Sequence, residues 1–170
     1  MSSKYVPHTV ARSNEPSMIL VLSLLIGVAA GLRAVTAPTA VSWAAYLGWL
    51  PLGGTPLAFL GHVAAPWVLT VLAIGELVGD QLPNTPSRKV PVQFGTRILT
   101  GALCGAAIAA PSGQLLFGLG AGVAGAVLGT LGGAAARARL AQAFGRDLPA
   151  ALIEDAVAIG GALLVVSAAR

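Results

Sequence analysis

Residues 115–136 contain no charged side chain. A run of that length and composition constrains the fold severely. It satisfies its backbone hydrogen bonds without water only as a helix, and about 20 apolar residues suffice to cross a hydrocarbon core. Similar runs lie at residues 18–34, 56–79, 92–110 and 148–168, joined by short connections. Over the whole chain 56% of residues are hydrophobic and 9% charged, against about 25% charged in a soluble domain. The chain is therefore expected to be an all-α membrane protein: residues 17–170 form one transmembrane domain in contact with the lipid bilayer, and residues 1–16 a short disordered tail. The tail and the apolar core 18–30 also resemble a secretory signal. That reading is set aside because the chain stays apolar afterwards and leaves no soluble portion to export.

The formal net charge of +4 does not point to nucleic acid, because the basic residues are scattered over short loops rather than gathered on one face. Such scatter is the usual orientation signal of membrane proteins. The single cysteine, Cys104, lies in an apolar run, reads as a packing residue and gives neither a disulfide nor a metal cluster. No cofactor is indicated.

The stretch 36–50 is opened by Pro38 and closed by Pro51, Gly53 and Gly54. Fifteen helical residues rise only about 22 Å, so a re-entrant or half-membrane helix is expected, with Thr36 as its N-cap and Pro38 in its first turn. Trp43, Tyr46 and Trp49 recur at helical spacing and suit an interfacial belt. If this segment fully crosses, the chain has six spans and the basic loops (Arg88 and Lys89; Arg137, Arg139 and Arg146) lie opposite the basic tail (Lys4, Arg12). If it is re-entrant, all of them share one side. The positive-inside rule favours the second: a compact bundle of about five transmembrane helices plus one re-entrant helix, N-terminus cytoplasmic and C-terminus outside. The alternative is six spans as a 3+3 repeat, echoed by G-x-R-x-x-T at Gly31 to Thr36 and at Gly95 to Thr100.

Gly118, Gly122, Gly125, Gly129, Gly132 and Gly133 recur at steps of mostly three and four, and Gly27 with Gly31 and Gly101 with Gly105 repeat the pattern. Such stripes let helix backbones approach closely. Packing within the chain is the first reading and a homodimer seam the second.

Four of the six acidic residues, Glu76, Asp80, Glu154 and Asp155, fall inside or at the ends of apolar runs. At the bilayer centre such a group costs about 2.5–3.5 kcal/mol. Arg97 lies one to two turns into its span, and in the five-span arrangement these five groups share a depth near the cytoplasmic side. Carboxylates then outnumber the intramembrane arginine, and a surplus carboxylate favours binding a proton or cation. Glu76 and Glu154 are the candidates. The competing reading is an ion pair of Arg97 with Glu76 or Glu154 that only locks helices, Asp80 and Asp155 snorkelling to the headgroups. Arg33, Thr36 and Thr39 form a second polar element near the outer end of the first span, where a helix N-terminus and an arginine suit an anion; His62 is expected on that side. Zinc, nucleophile-elbow and phosphate-loop motifs of soluble enzymes are lacking. An enzyme reading survives only as an intramembrane hydrolase with a carboxylate pair.

Several segments resemble, in order, a family of small bacterial inner-membrane proteins known as domain-of-unknown-function family 4126. They are Ala30-Gly-Leu-Arg-Ala34, Gly75-Glu-Leu-Val-Gly-Asp-Gln-Leu-Pro83, Arg97 with Gly101-Ala-Leu103, and Leu152-Ile-Glu-Asp-Ala-Val-Ala158. The resemblance implies a compact multi-span protein whose pattern includes Arg33, Glu76, Asp80, Arg97, Glu154 and Asp155, and it implies no substrate. The loop after Pro83 departs from the family pattern: Asn84-Thr-Pro-Ser-Arg-Lys89 stands where aromatic and acidic residues are expected. The functional expectation is a small transporter or channel-like protein with a buried carboxylate and arginine site. Its alternative is a non-transporting structural or accessory membrane protein.

Overall fold

The computed structural model describes residues 16–79 and 90–170. The tail, Asp80 and the Arg88 and Lys89 loop lie outside the described residues. Among the described residues there are helices and turns and no strand: α1 (Pro16–Leu32), α2 (Thr36–Tyr46), a 3-10 turn (Ala58–Gly61), α3 (Ala65–Gly79), α4 (Pro91–Ala109), a 3-10 turn (Ala110–Ser112), α5 (Leu115–Phe144) and α6 (Asp147–Ala168). Three helices, α4 with the turn after it, α5 and α6, are long and apolar enough to cross a membrane; α1 and α3 are shorter apolar helices.

The core is a tight sandwich of α5 against α1 and α4, and glycine makes it so. A Cβ on Gly122 would fall on the Gly101 carbonyl oxygen, one on Gly27 on that of Gly122, and one on Gly105 on that of Gly118. The Gly118, Gly122, Gly125 and Gly129 face of α5 is thus covered by α1 and α4 of the same chain, whereas Gly120 and Gly132 have open space beside them. Where the backbones are this close, a small hydroxyl bridges them: Ser23 Oγ donates to the Gly105 carbonyl at 3.1 Å.

α1 stops at Leu32 for a local reason. In a continuous helix the residue-38 N–H would bond the residue-34 carbonyl, but Pro38 has no N–H and its ring would clash there. Proline is tolerated only in the first turn of a new helix, where N–H groups lack intrahelical partners anyway. α2 accordingly begins afresh at Thr36 and turns back along α1. It ends in a Schellman turn, with Gly48 at φ 76°, Trp49 N–H to Ala44 O at 2.8 Å and Gly48 N–H to Ala45 O at 3.1 Å.

The pairings fix the directions of the helices. Ser23 with Gly105 and Leu32 with Arg97 make α1 and α4 antiparallel. Gly27 against Gly122 and Gly31 against Thr130 make α1 and α5 parallel. Pro16, the 47–51 turn, Pro111 to Gln114 and Arg170 all line one cleft at one end of the bundle, where the Arg170 guanidinium lies 5.1 Å over the Trp49 ring. Both α1's start and α6's end are therefore on the same side. The five-span arrangement had put them on opposite sides. The reason is α2: short as it is, it returns the chain to the end from which α1 set out.

Candidate functional site

The turn between α1 and α2 exposes backbone groups that no helix continues to satisfy, and side chains of four other helices converge on it. Arg97 of α4, 2% exposed, donates from Nη1 to the carbonyls of Gly31 at 2.8 Å and Leu32 at 2.5 Å, closing the end of α1. A cation at a helix C-terminus also meets the negative end of its dipole. Thr130 Oγ1 of α5 adds a bond to Gly31 O at 3.2 Å and one to Ala126 O at 2.8 Å. Glu76 of α3 does the converse at the start of α2: its two carboxylate oxygens accept the N–H groups of Ala34 at 2.6 Å and Val35 at 2.9 Å. Arg97 Nη2 stands 4.0 Å from Glu76 Oε1, so the two groups that terminate the two helices also face each other.

Arg33 sits in the turn itself, fully buried. Its Nε donates to Asp155 Oδ1 of α6 at 2.6 Å, and its Nη2 forms an ion pair with the same oxygen. Glu154, adjacent on α6 and 7% exposed, points elsewhere, to Arg137 Nη1 at 3.5 Å. Arg137 also holds Asp147 with two bonds of 2.9 and 2.5 Å. Neighbouring residues on a helix are about 100° apart, so two carboxylates in sequence serve two partners.

Several expectations are thereby revised. Arg33 is not a separate outer element: the hairpin of α1 and α2 carries it to the end where Glu76, Arg97 and Asp155 lie, and the two predicted polar elements are one network. Among the described residues Asp155, Glu76 and Glu154 each face an arginine, namely Arg33, Arg97 and Arg137, rather than competing for Arg97 alone. Asp155, with 8% exposed, is buried rather than snorkelling. Thr36 is not the N-cap; that position is Val35, with no side-chain cap of its own, since Glu76 supplies the acceptor from α3. Thr39 ties α2 to α3 through Val35 O at 2.8 Å and Leu69 O at 3.1 Å. His62 is exposed in the loop before α3, at the opposite end, and its ring accepts the Ala64 N–H at 3.3 Å. Asp80 lies outside the described residues.

Sequence reasoning missed Thr130 and Arg137. The signals were present: Thr130 is the only polar residue in its apolar run, and Arg137 is the first charge after it. A cleft of about 190 Å³ opens beside the network, lined by Ala34, Glu76, Val92, Gln93, Thr96 and Arg97. Among the described residues no cluster of three or more metal-ligating side chains occurs.

No curated protein and no solved structure matches the chain. Residues 20–169, which contain every helix of this network except the first turns of α1, match the family described as Domain of unknown function (DUF4126). The chain, a helical membrane protein by the length and apolarity of α4 to α6, belongs to that family.

Proposed function

We propose that this protein is a small transporter or channel-like protein of the bacterial inner membrane, with its polar site at the break between α1 and α2. One observation carries the reading: inside an apolar bundle, a helix is interrupted and its free ends are closed by Arg97 and Glu76, charged groups of other helices, beside an open cleft. Broken helices of this kind supply the ion and substrate sites of many transporters, and non-helical backbone at membrane depth is tolerated where it is buried in protein or lines a cavity. Linkage to protons would run through Glu76. Neutralising it weakens its hold on the two N–H groups and leaves the Arg97 charge without its counterpart.

A second reading, that the network is architecture alone, is favoured by the arginine that faces each of Asp155, Glu76 and Glu154. Glu76→Gln in proteoliposomes carrying a trapped pH dye separates the two. Transport predicts that the folded variant alters proton flux driven by an imposed potential. Unchanged flux with a lowered melting temperature assigns the network to architecture.

A further inference from the structure

The cleft of about 190 Å³ beside the charged break opens between α3 and the start of α4, and Glu76, Gln93, Thr96 and Arg97 supply its polar wall. Gln93, Thr96 and Arg97 stand at helical spacing on one face of α4. Thr96 and Arg97 follow Pro91, the first residue of that helix, by only about 8–9 Å of rise. The cleft is therefore shallow, at the end of the bundle to which α5 brings Thr130 and Arg137.

Its polar groups are engaged very differently. Arg97 is turned inward to the Gly31 and Leu32 carbonyls, and its side chain is 3% exposed. The Glu76 side chain is 13% exposed, and each of its oxygens accepts one backbone N–H. A carboxylate oxygen can accept more than one bond, so each keeps capacity for a water. Thr96 is exposed; its hydroxyl donates to Val92 O at 2.9 Å and remains an acceptor. Gln93 is half-buried, and its amide has no hydrogen-bond partner among the described residues. An amide withdrawn into apolar surroundings is costly unless bonded, and a cavity holds water when it is roomy enough and offers several polar partners. Both conditions are met here.

We infer that the cleft is a water-filled entry to Glu76 from the end of the bundle that carries Arg137, with Gln93 as the positioning residue that holds water against the carboxylate. The water bridges the Gln93 amide and the Thr96 hydroxyl to the remaining lone pairs of Glu76. Its role in function rests on the reading of Glu76 as a proton site: a hydronium in the cleft gives its proton to the carboxylate and leaves as water, and the reverse step returns it. Two further grooves along α3 hold no charged side chain, so the polar route runs from one end.

The test is cysteine labelling of the full chain in right-side-out and inverted membrane vesicles with a charged, membrane-impermeant methanethiosulfonate. Cys104 is fully buried, so the wild type is a silent background. The thiolate is the reacting form, and it forms where water reaches the sulfur. Gly95 is one residue from Thr96, outside the cleft, with open space beside it. Thr96→Cys is expected to react about tenfold or more faster than Gly95→Cys, and only from the side that labels Arg139→Cys. Gln93→Leu added to Thr96→Cys is expected to slow labelling about tenfold by drying the cleft, with labelling of Arg139→Cys unchanged, whereas Gln93→Asn is expected to retain it. Equal rates at Thr96→Cys and Gly95→Cys, reaction from both sides, or labelling indifferent to Gln93→Leu would overturn the inference. Labelling as expected with unchanged proton flux in Glu76→Gln keeps the wet entry and removes transport; altered flux with an unreactive Thr96→Cys does the reverse.

Discussion

Arg33 and Asp155 show what a single residue contributes. A guanidinium with no exposure is tolerable because a carboxylate from another helix meets it. Taking away one member leaves an uncompensated buried charge. Asp155→Asn is therefore expected to destabilise the protein by about 3–5 kcal/mol, read as a loss in urea or thermal unfolding in detergent. Replacing both partners by leucine should cost much less, because a buried pair exchanged for well-packed apolar groups is often neutral. Glu76, Arg97, Glu154 and Asp155 were legible as groups needing partners because charge in an apolar run is costly and conspicuous. Arg33 was equally conspicuous, yet its position was misread: its partner lies 122 residues away, and no local pattern encodes which end of a bundle a turn occupies.

Among the elements, α5 carries the packing. Its glycines do not provide conformational freedom; they provide the absence of a side chain. Gly122→Ala would set a Cβ on the Gly101 carbonyl and is expected to cost about 1–3 kcal/mol, the range for overpacking a filled core. Gly120→Ala, with open space at the same helix, is expected to raise the melting temperature slightly through helix propensity, and comparing the two isolates the contact from that propensity. The stripe and the shortness of α2 could both be read from the sequence, one from spacing and one from Pro38 and Pro51. The direction of α2 could not. A segment of about 16 Å is compatible with dipping in and out on one side or with returning across, and only its contacts with Pro16's end of α1 and with α3 decide.

At the scale of the molecule, α1's start and Arg170 share an end, and Arg137, Arg139 and Arg146 follow α5 to the other. Basic segments favour the cytoplasm, so in this fold both termini are expected to face away from it, which reverses the N-terminus but keeps the C-terminus of the orientation drawn from charge bias with five spans. Paired reporter fusions at the N-terminus and after Arg170 should agree with each other, and Arg139→Cys should be labelled from the cytoplasmic side only. Opposite readings from the two fusions would refute the shared end. The charge rule acts on the number of passes, and the return of the chain along α2 changes that input.

The turn held by Glu76, Arg97, Thr130 and Asp155 also has a history during synthesis. The hairpin leaves the ribosome first, yet the groups that close its backbone and neutralise Arg33 arrive over more than a hundred later residues, Asp155 last. Until α6 is made, the hairpin holds in Arg33 a cation whose carboxylate partner has not yet been synthesised. Assembly of this protein is thus completed from its C-terminal helix backwards, and a chain stalled before α6 exposes its oldest segment to quality control.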